Sequence, residues 1–505
     1  MTLRPPRCRS TLRLPAVAVL ATALVAGCAT VEPDSPTRSS SAPIAAPPSL
    51  PPVSEVTPDG LADAVTVDRM MGHLRSFQQI ADDHGGNRAT GTAGHDASVD
   101  LVAGQLREAG FEVSTPEFSY TRYDLDKVRF AADGHDVKGH VVEYSVGTRG
   151  PVTARPVSVR ALGCAPTDFP AGVRGNLAMI TRGECTFADK ARNAQSAGAV
   201  GVVIVNNEDG PPFGLTLDPE DVPGIPVLAV AREDADRVRS ARDLRLEVDA
   251  KTVPITTRNV IAETRTGSPD DVVMAGAHLD SVAAGPGIND NATGTAAVLE
   301  TALRLGASPP VPHRVRFAFW GGEEDGLLGS TEYVRGLDEA QRRAIALYLN
   351  FDMLGSPNGG YFTYDGDDSA RDGAGAGPAG SEGIERVFTR YFDERKIPVG
   401  QTDFDGRSDY GPFIAVGIPS GGVLAGAEHE KTAEQARMWS GEAGKPFDPN
   451  YHSRRDTIDN VNADLLAVHS SAVAYAVATY ALSTTGPDGV PAVGARERAE
   501  GYRSE

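Results

Sequence analysis

Basic side chains are the first shortage in this chain: 48 Lys and Arg stand against 68 Asp and Glu in 505 residues, a formal net charge of −20. Arg4, Arg7, Arg9 and Arg13 all lie in residues 1–27, so the remainder is more acidic still. That balance argues against nucleic acid, or an anionic membrane face, as the partner. Long apolar runs are equally scarce, and beyond Leu14 to Val25 no segment reads as membrane-spanning. No G-x-S-x-G occurs, so a serine nucleophile has no support. Cysteines number only four. What remains is ordinary globular composition, 40% hydrophobic and 23% charged, long enough for two or three domains and a large core.

The four early arginines precede an apolar run too short for a permanent span and shaped like a secretory signal. It ends "VAGC", which resembles a bacterial lipoprotein signal. That resemblance implies cleavage before Cys28, acylation of its thiol, and an exported protein held at the bacterial cell surface by lipid or released from it; a plain signal peptide with a chance cysteine is the alternative. Residues 28–63 are rich in Pro and Ser and read as an extended tether. With Cys8 in the signal and Cys28 given to lipid, Cys164 and Cys185 are the pair left in an exported chain. Paired, they would stabilise the fold by about 3 kcal/mol; two reduced, buried thiols are the other reading.

From Ala64 to about Thr115, apolar residues recur at spacings of three and four and each run stops at glycine, predicting helices. Residues 123–253 carry short β-rich runs and a β-α-β signal in "GNLAMITRGECTFADKARNAQSAGAVGVVIVNN". From Asn259 strands alternate with helices: "NVIAET", "DVVMAGAHLD", "TGTAAVLETALRLG", "RVRFAFW", "AIALYLNFDM", "GIPSGGVL", then a helix from Ala463 to Leu482. This alternation predicts a doubly wound α/β sheet. Residues 64–122 and 254–485 then form two parts of one domain, 123–253 an insertion, and 486–505 a tail.

Ligands of open α/β sheets bind at the carboxyl ends of the strands. Here those ends carry His278 with Asp280, Glu323 with Glu324, and Asp352; loops add Asp290 and His452. "VRFAFWGGEEDGLLGS" concentrates three acids, Glu323, Glu324 and Asp325, behind two glycines. Two carboxylates about 4 Å apart repel by roughly 1 kcal/mol in water and about 4 kcal/mol in a partly buried site. A bound cation would offset that repulsion. Two histidines with three or four carboxylates and no cysteine suit two divalent ions such as zinc, with manganese or cobalt as substitutes.

"AHLDSVAAGPGINDNATGTAAVLE", "FWGGEEDGLLGS", "YLNFDMLGSPN", "DGRSDYGPF" and "YHSRRDTIDNV" resemble, in order, the motif blocks of the secreted bacterial di-zinc aminopeptidases, the leucyl aminopeptidase and aminopeptidase Y group. The similarity continues in "GGNRATGTAGHDASVDLVAGQLREAG", and the insertion resembles a protease-associated (PA) domain. The resemblance implies a mixed sheet of the zinc-exopeptidase type and two zinc ions bridged by Asp290. His278 and Asp352 would complete one site, Glu324 and His452 the other. Glu323 would stay uncoordinated as the base that takes a proton from the attacking water, and Tyr451 would stabilise the oxyanion. Asp280 would fix the His278 tautomer and Arg407 would belong to a substrate loop. Apart from that resemblance, Glu323 and Glu324, and Asp325 with them, could simply start a helix, since acids favour helix N-termini.

Other signals carry no function. "GAGPAG" sits in a glycine-rich stretch and does not run directly from strand into helix, so it is not a nucleotide site. "DGDDSARDG" lacks the glycine and terminal glutamate of a calcium loop. The expectation is therefore an aminopeptidase acting on peptide or protein N-termini and favouring apolar first residues such as leucine. A zinc carboxypeptidase or glutaminyl cyclase, or a receptor-like relative without activity, is the alternative.

Overall fold

Strand-helix alternation after Asn259 builds a mixed eight-stranded sheet in the computed structural model, which describes residues 50–498 apart from 218, 220, 221, 372 and 374. The signal, Cys8, Cys28 and most of the expected tether lie outside the described residues. From edge to edge the strands are Glu112–Ser114, Val260–Glu263, His313–Trp320, Ser268–His278, Ile345–Phe351, Ser420–Leu424, Phe362–Tyr364 and Gly400–Thr402. The four from His313–Trp320 to Ser420–Leu424 run parallel, so their carboxyl ends share one rim. Ile345–Phe351 is buried at every residue, the continuous apolar run expected of a strand covered on both faces.

Helices Val67–Asp83, Ala93–Glu108, Thr293–Leu305 and Ala463–Leu482 contribute to the main core against the sheet. Ala463–Leu482 is long and apolar enough to cross a membrane, yet most of it is buried inside the protein. Buried Glu300 on Thr293–Leu305 holds Val67–Asp83 through Arg69 and His73, at 3.1 and 2.9 Å. The N-terminal piece thus belongs to the same domain, and it supplies the edge strand Glu112–Ser114.

Part of the expected tether is folded. Pro58–Ala64 is a helix capped by the Thr57 hydroxyl and buries Leu61 and Ala62. Proline at the first helical position has no N–H to leave unpaired, so a Pro-rich stretch can end in a helix where an apolar side reaches the core. The tail also docks. Arg496, its side chain buried, pairs with Asp271 and donates to the carbonyls of Arg343 at 2.8 Å and Pro491 at 2.9 Å. Arg496→Ala is expected to destabilise the protein by about 2–3 kcal/mol, read as a lower urea midpoint. Turnover of folded enzyme should be unchanged, because Asp271 sits at the opposite end of its strand from His278.

The insertion stands on a long antiparallel ribbon, Glu117–Ala132 paired with Leu244–Arg258 from Glu117↔Arg258 to Ala132↔Leu244. Both expected boundaries, 123 and 253, therefore fall within the ribbon. Beyond it lies a five-stranded sheet containing the β-α-β unit Leu177–Thr181, Phe187–Ser196 and Gly201–Val205. Cys164 and Cys185 are disulfide-bonded there, with Cα atoms 5.7 Å apart.

Candidate metal centre

Adjacent parallel strands end at His278, Trp320 and Phe351, which brings the residues that follow them to one place. His278 Nε2 lies 3.2 Å from Asp290 Oδ1, 3.3 Å from Asp352 Oδ1 and 3.9 Å from Glu323 Oε2. His452 Nε2 lies 3.2 Å from Asp290 Oδ2 and 3.0 Å from Glu324 Oε2. Asp290 therefore presents one oxygen to each histidine. Among the described residues, possible metal-binding groups form around His278 with Glu323 and Asp352, and around His278 with Asp290 and Glu324.

The electrostatics favour added positive charge. Burial opposes the ionised forms of both imidazoles, but Asp352 and Glu323 raise His278 well above its ordinary pKa, and Asp290 and Glu324 raise His452 to about 10. Burial likewise opposes ionisation of Asp290, yet His278 and His452 bring its pKa below the carboxylate range. Glu324 is pushed up to about 7 by burial and by Asp290. Its Oε1 is buried with no hydrogen-bond partner in the protein. A divalent cation displaces protons from such ligands and satisfies such an oxygen, so the donor set fits a metal.

The two glycines before the acids have separate causes. A Cβ on Gly321 would stand 2.9 Å from His95 Nε2 and 3.1 Å from the Arg258 carbonyl, while Gly322 has φ +72°, where side chains are strained. The acids also part ways. Glu323 and Glu324 face the centre, but Asp325 accepts a hydrogen bond from the Tyr120 hydroxyl of the ribbon, and the next helix begins only at Leu328. Asp280 stands behind His278. His278 Nδ1 is 3.2 Å from the Asp280 backbone oxygen and 3.6 Å from its carboxylate. That carboxylate also accepts from the Thr90 hydroxyl at 2.8 Å and from the backbone N–H of Glu323 and Glu324 at 3.3 and 3.4 Å.

Three supports were not singled out from sequence. Arg88, fully buried, donates to the carbonyls of Leu279, Pro286 and Gly287 and so ties down the chain between His278 and Asp290. Asp456 accepts from the backbone N–H of Asn289 at 2.7 Å and Asp290 at 3.0 Å, joining the His452 loop to the Asp290 turn. Ser408 donates to Asp352 Oδ2 at 2.7 Å. Their only sequence signal is that they sit inside the motif blocks. Elsewhere, Asp365 and Glu385 gather near Asp367, but Asp365 accepts the N–H groups of Ser369 and Ala370 and Glu385 that of Gly366, which closes a loop.

Beside the centre lies a cavity of about 320 Å³, touching Asp290, Glu323, Asp352 and His452, with Met353, Phe362, Leu424 and Phe447 as apolar wall. Tyr451 and Arg407 line it too. The Tyr451 ring stacks on His452 with centroids 3.8 Å apart. Arg407, paired with Glu428 at 2.7 Å, donates to the Tyr451 oxygen at 3.4 Å.

The profile of Peptidase family M28 matches residues 259–477, and that of the PA domain matches residues 148–238. A "Probable lipoprotein aminopeptidase LpqL" of Mycobacterium tuberculosis is 48% identical over 449 residues, which are 87% of this chain and 89% of that protein. The chain belongs to peptidase family M28. It is a metallo-aminopeptidase with a PA domain inserted in the peptidase fold. "Leucine aminopeptidase 2" of Arthroderma otae is 39% identical, over 88% of this chain and 90% of that one. Among solved structures, BSAP, a zinc aminopeptidase from Bacillus subtilis, aligns with a TM-score of 0.54 at 25% identity, covering 87% of this chain and 99% of that chain.

Proposed function

We propose that this peptidase removes the first residue of peptides bearing a free α-amine, using two zinc ions and favouring apolar first residues such as leucine. The observation that carries the reading is the division of Asp290, one oxygen 3.2 Å from His278 and the other 3.2 Å from His452. His278 and Asp352 would hold one ion and Glu324 and His452 the other, with manganese or cobalt able to substitute. When bound, the ions polarise the attacking water and the substrate carbonyl.

The chain's own groups supply the rest. Glu323, held by its backbone on Asp280, receives the water proton at its carboxylate. The Tyr451 oxygen accepts from Arg407, which leaves its O–H to donate to the developing oxyanion. The cavity takes the first side chain against Met353, Phe362, Leu424 and Phe447, and its size is in the range of small-ligand sites. Leucine preference draws support from the relatives named leucine aminopeptidase. Export and acylation of Cys28 draw support from a relative named as a lipoprotein. This reading takes 64–122 with 254–485 as the peptidase and 123–253 as the insertion, with both junctions inside the paired ribbon.

Paired substrates test it. Leucyl 4-nitroanilide is expected to be cleaved at least a hundredfold faster (kcat/KM) than its N-acetyl form, a difference of about 2.7 kcal/mol. Cleavage of only the blocked anilide would overturn the exopeptidase reading.

A further inference from the structure

The ribbon that carries the PA domain meets the peptidase at the helix Ala93–Glu108, through Arg258 with Asp96 and Asp100, and at the loop 321–329, where Glu323 and Glu324 sit. From the outgoing strand, the Tyr120 hydroxyl donates to Asp325 and its ring lies 3.7 Å from where a Cβ on Gly322 would be. Arg122, two residues on and so on the same face of the strand, is 4.0 Å from Asp325 and donates to the Thr90 carbonyl at 3.1 Å. From the returning end, Asn259 accepts from Gly321 N–H at 3.0 Å and donates to the Gly329 carbonyl at 2.9 Å. The inner side of the loop is bound as well. The Thr90 hydroxyl accepts from Gly322 N–H at 2.9 Å and donates to Asp280, whose carboxylate receives Glu323 N–H and Glu324 N–H. A loop gripped at both ends and on both sides has little freedom to move its carboxylates.

We propose that the stem of the PA insertion is a positioning device for peptide hydrolysis, with Tyr120 and Arg122 acting through Asp325 to hold Glu323 where it can take the proton. The proposal rests on the reading of Glu323 as the base. It gives the insertion a part in turnover, and it accounts for the third acid of the run. Misplacing a reacting group by about 1 Å costs on the order of a hundredfold, and loss of one contact among several costs less.

Full-length Tyr120→Phe, Asp325→Asn and the double variant, all loaded with zinc, test this with leucyl 4-nitroanilide. Each single variant is expected to lose about tenfold in kcat, about 1.4 kcal/mol, with KM and zinc content unchanged. The double variant should be no slower than Asp325→Asn alone, since Asp325→Asn already weakens the contact that Tyr120→Phe removes. Unchanged kcat with only a lower Tm, or losses that multiply in the double variant, would overturn the proposal. Should Tyr120→Phe fail to fold, Arg122→Gln decides: a kcat loss at constant KM, restored by Arg122→Lys, supports the clamp, and wild-type kcat overturns it. Glu323→Gln run in parallel separates the two readings. Full activity there sinks the base assignment and the clamp with it, whereas an inactive Glu323→Gln beside a fully active Tyr120→Phe sinks the clamp alone.

Discussion

Glu323→Gln is expected to lower kcat by a factor of about 10²–10⁴, the usual contribution of a positioned base, while the protein still binds two zinc ions and substrate. Glutamine keeps the size of the side chain and the backbone hydrogen bond to Asp280, so the loop has no reason to move. It cannot take a proton at neutral pH. Glu323 is mostly buried at the rim of the cavity, where loss of solvent, and the carboxylates of Asp352, Asp409 and Glu324 beyond it, raise its pKa well above the ordinary value despite the opposing pull of His278. A carboxylate with raised proton affinity is a better acceptor, and that gain is what the amide forfeits. Its Oε2 is also farther from His278 Nε2 than the oxygens of Asp290 and Asp352 are, 3.9 against 3.2 and 3.3 Å. Zinc content by elemental analysis beside steady-state rates checks this. Full kcat with two ions bound would remove Glu323 as the base, and loss of an ion would make it a ligand instead.

Chelation is expected to abolish turnover and lower Tm, and added zinc to restore both, with the titration ending at two ions per chain. Asp290, Glu323, Glu324 and Asp352 converge at a partly buried site, where each close pair repels by up to about 4 kcal/mol. The cations offset this. At a free concentration a hundred times Kd, each site adds about 2.7 kcal/mol of stability. Thermal unfolding followed against zinc equivalents reads the stability, and anilide hydrolysis of the same samples reads the activity. Full recovery at one equivalent would dismiss the paired centre and favour a one-ion enzyme. Full activity in thoroughly chelated protein would dismiss metal chemistry altogether.

The chemistry was more legible than its supports. His278, Glu323, Glu324 and Asp352 follow apolar strand runs, and a parallel sheet delivers such positions to one rim, so spacing along the chain was enough to group them. The β-α-β unit of the insertion was legible for a similar reason, because its pattern is local. Arg88, Asp456 and Tyr120 were not, since each works through contacts with residues about 170 to 205 positions away. The folded end of the tether and the docked tail escaped for another reason. Proline-rich and polar stretches look alike whether or not a core surface waits for Leu61 or a carboxylate waits for Arg496.

By itself, then, the order of residues determined which side chains could bind cations and which strands would carry them, because periodicity and strand polarity are properties of neighbouring positions. Only the tertiary structure decided how the three acids after Gly322 divide their work. Two turn inward to the histidines and Asp325 turns outward to Tyr120, and that choice depends on a ribbon some 200 residues earlier in the chain.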